Sequence, residues 1–492
     1  MKKLEELIEK YALILMIPVF AVYVYTRIKH LGEMSYYLHI DELRAAFDSM
    51  TIAHHGGKGE FAAPSLYVLV NALIMKLKGG LFSLKLFRLL SVAAGLFGMI
   101  FSYLTVHFLT GKKKYAFLEA VIIASLPIYY ISQRTGMGAY LFLEMAPAAF
   151  YFLIKAVDTQ KKNLFIASGI IWGLILLTHG PAYFIVPVFL AAALIYLIVS
   201  KKIDPKNVGY LVIPVVVCAL LLLFTGTNDP GLSFSNIPQN FMNFKGMFWD
   251  DDHPYNISSS FGTIYVFSVP VLIVGAVISI GKMITAFKNR TYDVSVILWM
   301  LAVVSFIVDL MTVNADISTT NCLFFITTLL VMEGLVYISE NLNGAYLIEL
   351  LTYVVCFVVF TYFYFVNFNS SVNNSTDHEQ GIVVDKSVGE AVKESLKTMP
   401  DKDICIMSDD FEGKDLMVAL FADASREDYE QIKGKEEFSF GKIRAVSDEE
   451  IDMSGNTVYL INQAERQEQI DELTESGWGN VFLKEYVICY MQ

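Results

Sequence analysis

Long apolar segments recur along the first three quarters of the chain, and short charged loops separate them. A helix needs about 20 apolar residues to cross the hydrocarbon core of a bilayer, and somewhat shorter spans are tolerated. The sequence is 55% hydrophobic, which is too apolar for a soluble enzyme of 492 residues. The pattern predicts a polytopic α-helical membrane protein with about 11 transmembrane helices: Tyr11–Thr26, Leu84–Leu109, Tyr115–Ile131, Tyr140–Ile154, Leu164–Thr178, Pro181–Ser200, Val208–Phe224, Phe261–Ile280, Val294–Val313, Thr319–Ile338 and Ala345–Val366.

The loop charges predict how these helices are oriented. Ala62–Leu77 is also apolar, but Asn71 and two lysines interrupt it, which favours a surface-lying or re-entrant helix over a span. Cations then cluster before the first predicted helix and at every second loop, the pattern expected of cytoplasmic loops. The first helix is followed by no small-residue cleavage site, so we expect it to remain as an anchor. The prediction is a multi-pass protein of the cell or plasma membrane with a cytoplasmic N-terminus. The cations that support it are Lys2, Lys3, Lys10, Lys112–Lys114, Lys161, Lys162, Lys201, Lys202, Lys206, Lys282, Lys288 and Arg290.

The last quarter of the chain has a different composition. From Asp377 onward there are 27 acidic and 12 basic residues, a net charge of −15, whereas the whole chain carries −12. The first part is therefore slightly basic, at +3, and neither part has the charge expected of a nucleic-acid-binding protein. The predicted organisation is a membrane domain at residues 1–370, a linker at 371–380 and an extracytoplasmic α/β domain at 381–492.

Alternating strand and helix patterns support the small α/β domain. Cys405 and Cys489 fall in two of its predicted strands, and a disulfide between them is left open. The predicted strands are Asp403–Ser408, Lys442–Val446, Thr457–Asn462 and Asn480–Tyr490, and the predicted helices are Gly389–Thr398, Lys414–Ala424 and Ala464–Ser476.

A polar segment, Tyr36–Arg44, lies in the first predicted extracytoplasmic loop, residues 29–80. Asp41 and Glu42 are adjacent carboxylates, and Arg44 follows them within one helical turn. Acidic residues suit the start of a helix, so a purely local role is one reading of this segment. A functional site is the other, because a membrane protein keeps charge away from hydrocarbon unless it is used. Arg44 is also expected to pair locally with Asp41 or Asp48.

Two arginines lie near helix ends on the same predicted face of the membrane. Arg88 opens the second predicted helix, and Arg134 follows the third in a glycine-rich turn. A guanidinium matches the oxygens of a phosphate, so both are candidates to bind one. The alternative is that their side chains merely extend to the membrane surface as anchors.

Further polar residues are weaker candidates. Glu144 and Asp309 lie inside predicted helices, where a carboxylate is costly, and pairing with Arg134 would be a structural explanation. His54 and His55 precede two glycines and could hold a divalent cation together with Glu42, although a loop turn explains them as well. His179 is interpreted as a turn residue. The acidic run 250–253 is interpreted as a solvated turn, with an acceptor or metal contact as the alternative.

Several of these features occur in an order that resembles the GT-C superfamily of membrane glycosyltransferases. The resemblance is to the branch of the protein O-mannosyltransferases and lipid A aminoarabinose transferases, and it covers residues 1 to about 370. It rests on the Asp41-Glu42 pair after the first helix, the sequence from Phe87 to Gly95, and the sequence from Ala124 to Arg134. A later stretch, from Pro254 through Asn256 to Tyr265, also resembles a segment of bacterial members.

The resemblance implies a polyprenyl-phosphate sugar donor, an extracytoplasmic acceptor hydroxyl and inversion at the anomeric carbon. In that chemistry Asp41 would accept the proton of the acceptor hydroxyl, and Glu42 would orient a cation or the acceptor. Arg134 and Arg88 would stabilise the departing phosphate. Arg44, His54, Glu144 and Asn256 would be further substrate-binding residues.

Two rival functions remain open at this stage. A transporter or flippase of a lipid or small solute could use Glu144, Asp309 and Glu333 as a coupling path. A catalytically inactive scaffold that presents the acidic domain is the other. No cofactor is implied beyond the lipid-linked donor, apart from the divalent cation that the histidines leave open.

Overall fold

The structure of the protein, a computed structural model, divides the chain into two compact units that are described separately. It describes residues 2–57, 59–61, 65–225, 231–244, 261–313, 315–374, 382–408, 414–435, 437–447 and 451–491. The first unit comprises Met1–Leu31, Ser65–Tyr67 and Arg88–Ser371, and the second comprises Gly32–Pro64, Val68–Phe87 and Val372–Gln492.

Helices dominate the described residues. In chain order they are α1 (Lys2–Ile28), α2 (Ile40–His54), α3 (Leu66–Lys78), α4 (Leu84–Thr110), α5 (Lys113–Ser125), α6 (Pro127–Ser132), α7 (Tyr140–Thr159), α8 (Lys162–Leu176), α9 (Ala182–Val199), α10 (Pro205–Thr225), α11 (Ile237–Asn243), α12 (Ser268–Asn289), α13 (Val294–Met311), α14 (Cys322–Asn341), α15 (Ala345–Asn373), α16 (Ser387–Thr398), α17 (Lys414–Phe421), α18 (Arg426–Ile432) and α19 (Gln467–Glu475). The strands are β1 (Tyr37–His39), β2 (Val383–Asp385), β3 (Asp403–Met407), β4 (Phe438–Phe440), β5 (Ile443–Val446), β6 (Thr457–Asn462), β7 (Gly479–Leu483) and β8 (Tyr486–Tyr490).

The apolar helices confirm the predicted class of multi-pass membrane protein. Among the described residues, nine helices are long and apolar enough to cross a bilayer. They are Lys2–Ile28, Leu84–Thr110, Gly138–Thr159, Ala182–Val199, Pro205–Leu222, Ser268–Asn289, Val294–Met311, Cys322–Asn341 and Ala345–Asn373. The other two predicted spans correspond to the shorter helix α8 and to the pair α5 and α6. The number of actual membrane crossings therefore stays a prediction.

The third predicted helix is interrupted where a single one was expected over Tyr115–Ile131. Leu126 adopts an extended backbone and Pro127 begins α6 as its first residue. Proline has no N–H and disfavours helical backbone at the residue before it, so the break follows from the sequence. Its consequence is that the carbonyls of Ala124 and Ser125 are released from the helical ladder and become available to side chains of other helices.

The backbones of two helices of the first unit, α12 and α14, are in close contact. A methyl group added at Gly275 of α12 would lie 1.8 Å from the carbonyl oxygen of Leu330 in α14. A methyl group at Gly334 of α14 would lie 2.2 Å from the carbonyl oxygen of Val271. The two glycines therefore permit a direct crossing of α12 and α14, as small residues commonly do in membrane helices.

A six-stranded sheet with the order β4-β5-β3-β6-β8-β7 forms the centre of the second unit. The strands β5, β3 and β6 are parallel, and the outer strands are antiparallel. The predicted strands and helices of this region are present, with one correction: Asn480–Tyr490 is a hairpin of two strands, β7 and β8. The short elements β2, β4 and α18 were not predicted. Cys405 and Cys489 are buried free thiols that flank Tyr459 on either side, so they form no disulfide.

The segment that follows α1 belongs to the second unit. Its strand β1 pairs with β2 in antiparallel register, with Leu38 opposite Val384. Phe47 of α2 packs on Tyr429 of α18 with ring centroids 5.0 Å apart. Helix α3, at Leu66–Lys78, covers most of the segment Ala62–Leu77 that was predicted to be a surface-lying or re-entrant helix. Helix α15 extends to Asn373, so the first three residues of the predicted linker 371–380 are helical, and residues 375–380 lie outside the described part of the chain.

Candidate functional site

The C-terminal end of α1 is capped by an arginine from the turn after α6. The last carbonyls of a helix have no partner within it and carry partial negative charge. Arg134 donates from Nη1 to the carbonyl oxygens of Thr26 and Arg27, at 2.7 and 2.8 Å. Its Nε donates to the hydroxyl of Tyr364 in α15, at 3.3 Å. Capping thus fixes the guanidinium of Arg134 at the end of a membrane helix.

A second arginine, Arg27, lies beside it and is completely buried. Its Nη2 donates to the carbonyl of Ala124, at 2.7 Å, which is one of the two carbonyls released by the break before Pro127. Its Nε donates to the side-chain oxygen of Gln133, at 3.1 Å. The guanidinium also lies over the ring of Tyr130, 4.2 Å from the centroid. Carbonyl dipoles, an amide and an aromatic face therefore hold this cation, and no carboxylate of the described residues is in direct contact with it.

The positive charge of this arginine pair is not neutralised by ion pairs within the described residues. Neither Arg27 nor Arg134 has a carboxylate oxygen within 4.0 Å there, although both side chains are almost completely buried. Among the same residues, Nη2 of Arg134 is buried without any hydrogen-bond partner. A buried cation is costly unless an opposite charge compensates it. The arrangement is therefore suited to an anion that approaches Nη2.

Behind the arginine pair, a carboxyl group is connected to Arg27 through Gln133. The amide nitrogen of Gln133 donates to Oε1 of Glu144, at 3.1 Å, and the hydroxyl of Ser132 lies 3.4 Å from the same atom. The suggested pairing of Glu144 with Arg134 is absent from the ion pairs of the described residues. Glu144 instead positions Gln133, which in turn orients Arg27.

Two glycines of α4 make room for this group. A methyl group at Gly95 would lie 2.4 Å from Cγ of Gln133 and 2.4 Å from the hydroxyl of Tyr23. A methyl group at Gly98 would lie 2.7 Å from Oε2 of Glu144. All three distances are below 3.0 Å, which real Cβ atoms essentially never show. Gly95 ends the stretch from Phe87 that supports the resemblance, and the packing of Gln133 requires a glycine at this position.

Arg88 is also buried, which does not fit a side chain that extends to water. Its Nη1 donates to the carbonyl of Leu31, at 3.1 Å, just beyond the end of α1. Arg88 therefore holds the chain where it leaves α1. Its predicted contact with a phosphate stays a prediction.

In the second unit, Asp41 lies in the first turn of α2. Its backbone N–H donates to Nδ1 of His39, the residue that caps this helix. Its side chain is 54% exposed and accepts from Nη1 of Arg44, at 3.2 Å. Glu42, the next residue, is completely buried. The two carboxylates thus point in different directions, as helical spacing predicts, and Asp41 is the one open to solvent.

His54 and His55 bind the α/β domain. Nδ1 of His54 lies 2.8 Å from Oδ2 of Asp423, and Nε2 of His55 lies 2.9 Å from the backbone oxygen of the same residue. Within the described residues, no group of three or more His, Cys, Asp or Glu side chains is placed to hold a metal ion. The interactions of His54 and His55 are those of a structural connection.

Asp48 has a related role in α2. Its carboxylate accepts from the backbone N–H groups of Glu60, at 2.6 Å, and Phe61, at 3.3 Å. It thereby folds the segment after α2 back onto the helix. The expected pairing of Arg44 is therefore with Asp41 and not with Asp48.

A tyrosine just before α2 is part of the same connection between sequence-distant segments. Tyr37 of β1 donates to the side-chain oxygen of Asn373. Burial, and to a lesser degree the carboxylates of Asp385 and Glu485, raise the pKa of Tyr37 to about 12. Tyr37 therefore keeps its proton at neutral pH and acts as a hydrogen-bond donor.

The remaining candidates that the structure describes, His179, Asp309 and Glu333, do not contact the arginine pair. Asn256 and the acidic run 250–253 lie outside the described residues. His179, between α8 and α9, contacts the hydroxyl of Thr178 at 2.9 Å. Asp309 is buried in α13, and Glu333 of α14 pairs with Lys282 at 2.7 Å.

Arg27 is the main residue that sequence reasoning missed. The sequence shows it as a cation just after an apolar run, which is the usual place for a side chain that extends to the membrane surface. The break before Pro127, which releases the carbonyl of Ala124, provides one of the contacts that hold its guanidinium in a buried position. A weak signal was available in the sequence, since Pro127 is visible within an otherwise apolar segment.

Comparison with known proteins identifies the fold. Residues 63–225 match the family model described as dolichyl-phosphate-mannose-protein mannosyltransferase. The crystal structure of ArnT from Cupriavidus metallidurans bound to undecaprenyl phosphate matches with a TM-score of 0.50 and 12% identity, over 96% of this chain and 97% of that one. The apo structure of the same ArnT matches with a TM-score of 0.51 and 14% identity, over 97% and 98%. The search of curated proteins found no match.

The two structural matches extend over nearly the whole chain and agree with the multi-pass helical architecture. At 12–14% identity the structural likeness shows the fold, and the family model adds a sequence match over about a third of the chain. The resemblance predicted from the sequence is confirmed at the level of the fold: the chain has the fold of the ArnT structures, and residues 63–225 match a mannosyltransferase family model.

Proposed function

We propose that this protein transfers a sugar from a polyprenyl-phosphate donor to a hydroxyl group of an extracytoplasmic acceptor, with inversion at the anomeric carbon. The observation that carries the proposal is the buried arginine pair, in which Nη2 of Arg134 has no partner among the described residues. A phosphate is the anion that a membrane-embedded guanidinium of a GT-C protein would meet. The ArnT structure with undecaprenyl phosphate supports the lipid class, and the matched family model supports a polyprenyl-phosphate sugar.

The proposed reaction is a single displacement. The oxygen of the acceptor hydroxyl forms a bond to the anomeric carbon, while the bond from that carbon to the phosphate oxygen breaks. The departing polyprenyl phosphate takes the bonding electron pair. The acceptor proton passes to the carboxylate of Asp41, which acts as general base. Atoms and charge balance without any further reactant.

Arg134 would act on the leaving group. Its Nη1 and Nε are engaged by carbonyls and Tyr364, so the two N–H groups of Nη2 remain for the phosphate. This differs from the expected two-nitrogen fork, because Nη1 is committed to the helix end. A donor held in place in a water-poor environment stabilises developing negative charge strongly. Arg27 would contribute its charge through space.

The direct test is transfer by the purified protein in lipid vesicles. Polyprenyl-phosphate sugars are offered as donors, and the products are identified by mass spectrometry. In parallel, mass spectrometry compares the glycoconjugates of cells with and without the gene. Asp41→Asn serves as the inactive reference. The proposal predicts a sugar-bearing product that is lost in this variant. Identical glycoconjugates together with protein-dependent solute flux would contradict it and favour the transport alternative.

The orientation of the chain is part of the same proposal. The alternating lysine loops favour a cytoplasmic N-terminus and an extracytoplasmic α/β domain. A membrane-impermeant thiol reagent applied from outside should label a cysteine at Asp401, which is exposed, and should not label one at Lys161. Replacing Cys218 and Cys356 with serine removes the partly exposed native thiols. The reverse labelling pattern would contradict this orientation.

A further inference from the structure

A cavity of about 560 Å³ opens among α4, α7, α12, α13 and α14, away from the arginine pair. Its walls are mainly apolar, with Phe150, Leu298 and Leu329 among them. Ligand cavities usually measure about 300–1,000 Å³, so this one can hold the headgroup and upper chains of a lipid. The helices that form the cavity are candidate membrane spans, so the apolar molecules expected next to them are the acyl chains of lipids.

Two charged groups at the wall of this cavity lie about two turns before the ends of their helices. Lys282 of α12 and Glu333 of α14 form an ion pair of 2.7 Å at its wall. Glu333 lies seven residues before Glu340 along α14, which corresponds to about 10 Å at 1.5 Å per residue. Charge within a membrane helix is costly and usually serves a function. A purely structural pair would be expected in a packed contact and not beside an open volume.

The charges around the cavity favour one class of headgroup. Three carboxylates line it, but Glu340 pairs with Lys112 at 2.7 Å and Asp293 accepts from the backbone N–H of Ser295 at 2.8 Å. The charges available to a ligand are therefore the amine of Lys282 and the carboxylate of Glu333. A primary ammonium offers three N–H donors to such a carboxylate. A quaternary ammonium is bound instead by aromatic cages, and only Phe150 and Tyr337 are aromatic among the lining residues.

From this geometry we propose that the cavity binds a zwitterionic phospholipid whose headgroup carries a primary ammonium. The phosphate pairs with Lys282 and the ammonium with Glu333, so that a matching zwitterion replaces the internal ion pair with two intermolecular ones. The acyl chains follow the apolar wall into the bilayer. This site is separate from the residues assigned to sugar transfer, and it does not depend on that assignment.

Binding by the delipidated, full-length protein in detergent tests the proposal. Native mass spectrometry measures the relative affinities for phosphatidylethanolamine, phosphatidylcholine and phosphatidylglycerol of identical chain composition. We expect about tenfold tighter binding of phosphatidylethanolamine than of either other lipid, the size of effect typical of a charged hydrogen bond. Equal affinities for the three lipids would overturn the proposal.

Variants assign the effect to the cavity. Glu333→Gln keeps the shape of the side chain and should abolish the preference for phosphatidylethanolamine over phosphatidylcholine. Glu349→Gln, a partly buried carboxyl on α15 that does not line the cavity, is the matched control and should keep it. Val336→Trp fills the cavity from its apolar wall and should weaken the binding of all three lipids. This variant provides a second test if Glu333→Gln does not fold.

Two further outcomes are decisive. An unchanged preference in Glu333→Gln together with unchanged affinities in Val336→Trp would place lipid binding elsewhere and overturn the proposal. Phosphoethanolamine without acyl chains should fail to compete at concentrations comparable to the lipid. Effective competition by this soluble headgroup would show that the cavity binds a free metabolite and not a lipid. The Asp41→Asn variant should retain the lipid preference, so that failure of sugar transfer and failure of this proposal are distinguishable.

Discussion

The buried Arg27–Arg134 pair and the exposed Asp41–Arg44 pair differ in how their charges are compensated. The two guanidinium groups of the first unit are almost completely enclosed, and their hydrogen bonds go to backbone carbonyls, an amide and hydroxyl groups. The side chains of Asp41 and Arg44, in the second unit, are 54% and 47% exposed and pair directly with each other. Water can solvate both members of the second pair, whereas the first pair has no such compensation.

The difference indicates which of the two groups depends on a ligand. An exposed ion pair contributes about 0–1 kcal/mol to stability, so Asp41 and Arg44 can separate at little cost when an acceptor approaches. Burying a cation without an anion costs free energy, and this cost lowers the stability of the fold before any ligand binds. We therefore expect the arginine pair to determine binding of the donor, and Asp41 to determine the rate of the chemical step.

The largest expected effect is at Asp41. Asp41→Asn preserves size but removes the proton acceptor, so turnover should fall about 10²–10⁴-fold, the usual range for a general base. Binding of the polyprenyl phosphate should be unchanged, because the substitution leaves the arginine pair intact. The measurement is the initial rate of sugar transfer at saturating donor.

A matched substitution controls for this test. Asp401→Asn changes an exposed aspartate in a turn of the α/β domain and should leave the rate unaffected. The thermal stability of Asp41→Asn should also stay close to that of the unmodified protein, since only an exposed ion pair is lost. A rate within a few-fold of the unmodified protein would show that Asp41 is not the base.

An intermediate effect is expected where α4 packs on Gln133. In Gly95→Ala, the added methyl group would lie 2.4 Å from Cγ of Gln133, so Gln133 and with it Arg27 must shift. Overpacking of this kind typically costs about 1–3 kcal/mol. We expect a lower unfolding temperature together with weaker binding of polyprenyl phosphate.

Gly281→Ala is the control for this helix–glycine substitution. Gly281 lies in α12, and nothing would be within 4 Å of the added methyl group. Its unfolding temperature should be unchanged or slightly higher, because alanine favours helix more than glycine does. Equal unfolding temperatures and equal binding of polyprenyl phosphate in the two variants would show that the close packing at Gly95 does not support the arginine pair.

The smallest effect is expected at His54, which was a candidate substrate contact. In the structure this side chain lies 2.8 Å from Asp423, so its role is to connect α2 to the α/β domain. His54→Ala should lower the free energy of unfolding by about 1 kcal/mol, typical of one hydrogen bond, and change turnover only a few-fold. A large loss of turnover with normal stability would restore the assignment of His54 to substrate binding.

The sequence was informative about the fold because a bilayer imposes a simple rule. Backbone polar groups in hydrocarbon must be satisfied within a helix, so long apolar runs translate directly into helices such as α4 and α14. The alternation of strands and helices in the α/β domain could also be predicted, because it depends on the local pattern of residues. Only its shortest elements, such as β4 with three residues, carried too little pattern to be predicted.

The site was less predictable because its contacts are long-range. Strand β1 pairs with β2 across more than 340 residues of sequence, and neither three-residue strand has a strong local signal. The position of Arg27 depends on a carbonyl released in another helix, at Ala124. Arg134 could be named from the sequence as a cation at a helix end, but its task of capping α1 could not. Local pattern thus indicated which residue types matter and left their partners undetermined.

The affinity of the purified protein for a polyprenyl phosphate tests the central claim most directly. It is measured for the unmodified protein, Arg134→Ala, Arg134→Lys and Asp41→Asn, with Lys288→Ala as a control for loss of an exposed cation. Removal of a charged hydrogen-bond donor should weaken binding about 10–100-fold in Arg134→Ala. Lysine keeps the charge but not the planar donor geometry, so Arg134→Lys should lie in between. Asp41→Asn and Lys288→Ala should bind as the unmodified protein does. Unchanged affinity in a folded Arg134→Ala variant would contradict the account and reduce this arginine to a cap on α1.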